Sequence, residues 1–245
     1  MVIKAVFFDI GGTLLTTTAI LRKYMMEINK KHVKSLGYNF TEAEIDAARM
    51  KADEYILKKY KNPHCKDVIF PKIMFGFLGV KLDDKSSKEL EEDFWKEIYS
   101  RVNFIKNANE VLIYIKPRGY KIVAITNNKK ERAVMSLARF GLIKFFDDII
   151  TSEEFGLKST TVPFRVAMER TGLKPEEVVM IGNHLFEDIL PAKSLGIKTV
   201  LAKFEENFER VPKMDMGITE SEIKADYVIT DLIDIKGILE ELNSG

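Results

Sequence analysis

Val2 to Phe8 is an apolar run rich in β-branched and aromatic residues, with Lys4 its one charge, and it stops at Asp9, just before the pair Gly11-Gly12. A run of that length closed by glycines reads as a buried strand feeding a tight loop, which leaves Asp9 at the strand's carboxyl end. The pattern returns three times: Lys121 to Ile125 before Thr126-Asn127-Asn128, Glu177 to Ile181 before Gly182-Asn183, and Lys198 to Ala202. Stretches with helical apolar spacing lie between, at Asn109 to Lys116, Lys130 to Arg139, Val162 to Thr171 and Glu187 to Leu195. Strand and helix in alternation predict an α/β fold with a parallel sheet and helices on both faces. Ligands of such sheets bind beyond the carboxyl ends of the strands.

The stretch from about Thr16 to Val102 breaks the alternation. It holds amphipathic helical patterns at Leu21 to Leu36, Thr41 to Lys59, Phe70 to Phe77 and Lys88 to Tyr99, and almost nothing strand-like. Thr41 with Glu44 makes a capping-box signature at the second of these. This is a helical module inserted after the first strand, interrupted at Tyr60 to His64 and again by the polar turn Asp83 to Ser87. Towards the end, Phe204 to Lys224 reads as an extended surface loop before a last strand, Tyr227 to Thr230, and a closing helix.

Composition narrows the function classes. At 46% hydrophobic and 31% charged residues, 245 residues suffice for a sizeable core and exclude long disorder or a disulfide scaffold. The apolar runs fall far short of the roughly 20 residues that a membrane-spanning helix requires. The first residues do not read as a secretory signal, and a single cysteine, Cys65, forms no internal disulfide, so a cytoplasmic setting is expected. Basic and acidic residues number 38 and 37, so no global field draws in nucleic acid or an anionic membrane. A small anionic molecule is the expected partner, and nothing specifies an oligomeric state.

Four loop signals follow in order: Asp9-Ile10-Gly11-Gly12-Thr13-Leu14, then Thr126-Asn127, then Lys158, then Gly182-Asn183 with Asp188. The segments Gly141 to Asp147, Ser152 to Gly156 and Ala192 to Val200 flank them. Together these resemble the haloacid dehalogenase (HAD) superfamily along the whole chain. The resemblance implies a Rossmann-like core, residues 1–15 and 103–245, and a C1-type helical cap domain, residues 16–102.

It also implies a chemistry. Asp9 would attack phosphorus and form an acyl phosphate, which divides one hard displacement into two easier ones. Backbone N–H groups of Gly11 and Gly12, the hydroxyl of Thr126, Asn127, and the ammonium of Lys158 would hold the phosphoryl oxygens. Asp9, the Gly11 carbonyl, Asn183 and Asp188 would face a magnesium ion that offsets repulsion between anionic nucleophile and anionic substrate. Asp9, Thr126 and Lys158 are the expected catalytic residues. His184, and His64 and Cys65 in the insert, read more simply as loop side chains.

Three positions depart from the family pattern. Gly11 stands where most family phosphatases carry a second aspartate, an acid–base group worth roughly 10²–10⁴-fold. Asn183 replaces the first aspartate of the acidic loop and brings an oxygen without a charge. Lys158-Ser-Thr-Thr-Val-Pro163 replaces the usual Lys-Pro-Asp-Pro. A slow magnesium-dependent phosphatase is therefore the leading expectation. Its rivals are a metal-independent 2-haloacid dehalogenase, for which Arg22 and Arg49 are the available insert arginines, and a catalytically silent binding protein.

Overall fold

The computed structural model describes residues 2–204 and 219–244. Six strands form one fully parallel sheet: β1 (Ala5–Phe8), β2 (Lys121–Thr126), β3 (Asp148–Thr151), β4 (Val178–Gly182), β5 (Lys198–Ala202) and β6 (Tyr227–Ile229). Their order is β3-β2-β1-β4-β5-β6, the doubly wound arrangement in which the direction of winding reverses between β1 and β4. β1 has neighbours on both sides, with Phe7 in register with Val123 on β2 and Met180 on β4. All four of its residues are fully buried. That burial explains the continuous apolar run, and each phenylalanine contributes roughly 1.5–3 kcal/mol by leaving water.

β3 is a strand that apolar runs do not announce, because Asp148-Ile-Ile-Thr151 is four residues long and opens on a charge. Its identity comes from pairing, Val123 with Asp148 through Thr126 with Thr151. Helices α5 (Ala108–Ile115), α6 (Lys130–Arg139), α7 (Ser152–Phe155), α8 (Val162–Thr171), α9 (Leu190–Ser194) and α10 (Ile235–Ser244) complete this unit. Phe7, Val123, Ile125, Ile150, Phe164 and Met180 meet in its buried core. Ahead of α9, Leu185–Ile189 forms one π-helical turn, so the expected helix from Glu187 is instead a short helix preceded by a wider turn. Most of the expected surface loop from Phe204 lies outside the described residues.

Contacts divide the chain into two compact units, Met1–Thr16 with Asn103–Gly245, and Thr17–Val102. The second is all helix: α1 (Thr17–Ser35), α2 (Glu42–Tyr60), α3 (Phe70–Phe77) and α4 (Asp84–Arg101). Thr41 and Glu44 make the reciprocal capping box at α2, with Thr41 N–H donating to Glu44 at 2.8 Å. α4 begins earlier than its apolar spacing, because Asp83 caps it by accepting from Ser86 N–H at 2.7 Å. Val33, Ile45, Ala52, Met74 and Phe75 form a separate core. Within this unit Arg49 is held by Asp46 and Asp53, and His64 and Cys65 lie between α2 and α3.

Candidate active site

Asp9 follows β1 directly, and its N–H donates to the Ile181 carbonyl at 3.0 Å, so the backbone ladder carries the side chain to the point where the winding reverses. The chain then turns sharply. Leu14 and Leu15 N–H groups return to the Ile10 carbonyl at 2.9 and 3.0 Å, and Gly12 sits at φ 85°, where a side chain would be strained. The Gly12 N–H is committed to the Leu15 carbonyl at 2.7 Å, so this glycine shapes the loop and does not offer its N–H to phosphate. Gly11 lies outside the left-handed region.

Lysine joins the first and last motifs. Lys158 Nζ lies 2.7 Å from Asp9 Oδ1 and 2.6 Å from Asp188 Oδ1, and all three residues are almost wholly buried. Two ammonium protons are thereby used and one remains. Burial raises the Asp9 carboxyl, with Lys158 opposing and Asp188 assisting, and the balance leaves it at about 6. Burial alone would depress the Lys158 ammonium, but the carboxylates of Asp188 and Asp9 outweigh it and hold the group charged above its ordinary range.

Both oxygens of Asp188 are engaged. Oδ1 takes Lys158, and Oδ2 accepts the His184 N–H at 2.9 Å. Expected to face a metal, Asp188 has its fully buried carboxylate on the lysine. The π-turn delivers it there, with Asp188 and Ile189 N–H groups both directed at the His184 carbonyl.

Thr13 is the residue that sequence reasoning passed over. Its fully buried hydroxyl lies 3.2 Å from Asp9 Oδ2 and 3.3 Å from Asn183 Oδ1, bringing the free oxygen of the nucleophile and the amide of the acidic loop to one point. Its place in the Asp9 to Leu14 motif was the only available signal. Thr126, the last residue of β2, is buried with no hydrogen-bond partner for its hydroxyl among the described residues. Asn127, by contrast, is engaged, since its Oδ1 accepts the Lys158 backbone N–H at 3.0 Å.

A cation fits the charge and the donors. The buried trio of Asp9, Asp188 and Lys158 sums to −1, so a phosphate dianion meets net repulsion unless positive charge accompanies it. Asp9 Oδ2 and Asn183 Oδ1 are hard oxygen donors turned towards a common hydroxyl. No group of three or more His, Cys, Asp or Glu that could hold a metal occurs among the described residues. No helix among the described residues is long and apolar enough to cross a membrane.

Comparison with known proteins gives the family. Residues 6–202 match the model of the haloacid dehalogenase-like hydrolases. The chain is 30% identical to a glyceraldehyde 3-phosphate phosphatase of Methanothermobacter thermautotrophicus over 97% of this chain and all of that one. It is 25% identical to the pyrophosphatase PpaX of Halalkalibacterium halodurans, over 97% of this chain and 99% of the other. Among solved structures, a HAD phosphatase from Thermococcus onnurineus superposes with a TM-score of 0.65 at 25% identity, covering 97% of this chain and 98% of its own. The protein belongs to the haloacid dehalogenase-like hydrolase family.

Proposed function

We propose that the protein is a magnesium-assisted phosphatase of small phosphorylated metabolites, working through a phosphorylated Asp9 in the cytoplasm. The observation that carries this reading is the Asp9–Lys158–Asp188 bridge at the sheet's switch point, with the unpartnered Thr126 hydroxyl on the neighbouring strand. Ionised Asp9 attacks phosphorus, and the bond from phosphorus to the substrate oxygen breaks. The remaining proton of the Lys158 ammonium and the Thr126 hydroxyl meet the charge on the phosphoryl oxygens. Water then attacks the acyl phosphate, releasing phosphate and restoring the Asp9 carboxylate.

Asp9, Asn183 and the Gly11 carbonyl would hold magnesium, which supplies positive charge against the net −1 of the buried trio. Asp188, which also holds the lysine, would complete that set. The leaving oxygen must draw its proton from somewhere other than position 11, so good leaving groups are favoured. The helical unit Thr17–Val102 is read as the cap that selects substrate.

Relatives named for glyceraldehyde 3-phosphate and for pyrophosphate set the first substrates to try. The test is a panel of triose phosphates, pyrophosphate, other phosphate esters and 2-haloacids, each with and without magnesium. Metal-dependent phosphate release is expected. Halide release without metal would replace this reading with the dehalogenase one, and no turnover of any compound would leave a binding protein.

A further inference from the structure

We infer that Asn127 is a positioning residue that locks Lys158 in place through its backbone, in addition to the hold that Asp188 has on the side chain. Lys158 opens a single 3-10 turn, Lys158–Thr160, closed by Thr161 N–H to the Lys158 carbonyl at 3.0 Å. The first N–H of any helical turn has no partner within the turn. Lys158 is almost fully buried, so water cannot easily supply one. The partner comes from 31 residues away, as Asn127 Oδ1 accepts that N–H at 3.0 Å.

The contact fixes which way the carboxamide lies. The oxygen must face the Lys158 N–H, so holding the lysine loop falls to the acceptor end of the carboxamide and only the amide nitrogen is left as a donor for phosphate. Neighbouring contacts stiffen the same junction. The Asn128 carbonyl accepts from Glu153 N–H and from the Ser152 hydroxyl, each at 3.4 Å, and Lys130 N–H donates to Glu153 Oε2 at 2.8 Å. The lysine loop here has Ser159-Thr160-Thr161 after Lys158 and no proline before Pro163. A tether from outside does what a proline-stiffened turn would otherwise do.

Thr126 and Asn127 thus divide the work of one loop, the first turned to the phosphoryl group and the second to the lysine that neutralises it. The catalytic consequence rests on the phosphatase reading, whereas the contact itself does not.

The experiment compares Asn127→Ala, which removes the acceptor, with Asn127→Asp, which keeps it. Hydrogen–deuterium exchange at the Lys158 amide is the readout independent of activity, with β4 amides as the control for folding. In Asn127→Ala, exchange at Lys158 should rise at least ~10-fold while β4 stays protected. On the best phosphate ester, kcat should fall by roughly 10–100-fold with KM within about 3-fold, since the loss falls on the transition state. Asn127→Asp should keep Lys158 protected and recover most of kcat, with a higher KM from its added charge. Unchanged exchange in Asn127→Ala, or an Asn127→Asp variant as unprotected as Asn127→Ala, would overturn the tether. A large rise in KM with kcat intact in Asn127→Ala would return Asn127 to phosphate binding. Should the parent turn over no phosphate ester at all, the phosphatase reading falls, and the exchange comparison still decides the tether.

Discussion

The Asp188 carboxylate fills the space that a side chain on Gly182 would need, so the end of β4 and the acidic loop fit only because position 182 is bare. Neither partner can give way easily, since Gly182 is a buried strand residue and both Asp188 oxygens are bonded. Gly182→Ala should therefore push Asp188 off Lys158. We expect kcat to fall by at least ~10²-fold, the size of a lost preorganised electrostatic contact. Gly237→Ala is the comparison for mere glycine replacement, because that residue lies in α10 without a left-handed backbone and a Cβ there meets nothing within 4 Å. Equal activity in Gly182→Ala and the parent would show that Asp188 is dispensable.

Removing the nucleophile should kill turnover and stabilise the fold. The Asp9 carboxyl titrates at about 6 in the folded chain against 3.8 for the free side chain, because burial disfavours its charge. Between those values the folded state holds more protons than the unfolded one, so the stability tied to this group declines as pH rises from about 4 to about 6. Asp9→Asn carries no charge there. Its melting temperature should match the parent's near pH 4 and exceed it above pH 6, with hydrolysis abolished at every pH. In the parent, activity should fall as pH drops below about 6, and the limb should move to lower pH as magnesium is raised, since a cation at Asp9 favours the ionised form. Thermal melts across pH, with rates measured in parallel, check both halves.

Gly11 adopts a backbone that an ordinary residue can share, so Gly11→Asp should fold. With Asn183→Asp it restores a carboxylate near the leaving oxygen and a charged donor beside Asp9. The double variant should hydrolyse an aryl phosphate faster by about 10-fold or more, most of all with poor leaving groups. The gain should require magnesium, because the single Thr13 proton cannot satisfy two facing carboxylates. A double variant that binds magnesium more tightly without any gain would mean that these positions do not limit the reaction.

Asp231 offers a test outside the proposed catalytic groups. Its carboxylate accepts from Lys106, the Ile233 N–H and Asn107, which together hold it down at about 2. A depressed carboxyl stabilises the fold above its unfolded value and loses that contribution as pH falls towards 2. Asp231→Ala should melt lower than the parent at pH 7, with the gap closing between about pH 4 and 2. A gap that stays constant over that range would assign the effect to capping geometry alone.

Sequence pattern reached the strands that are long and apolar, β1, β2, β4 and β5, since burial on both faces leaves an uninterrupted run. It missed β3, whose four residues become a strand only by lying against β2. At the site, residue types and order brought out Asp9, Lys158 and Asp188, which the fold draws together from positions 9, 158 and 188. What they do to one another was not legible: that Asp188 bonds Lys158 depends on a turn geometry that composition does not encode. Thr13 and the Asn127 oxygen were hidden for a similar reason, as one hydroxyl or amide in a polar loop looks like any other until its partner is known.

The π-turn at Leu185–Ile189 has a wider meaning for this loop. Asn183 precedes the turn, with its amide beside Thr13, whereas Asp188 lies within it and bonds Lys158, so two polar side chains five positions apart are set by different pieces of backbone.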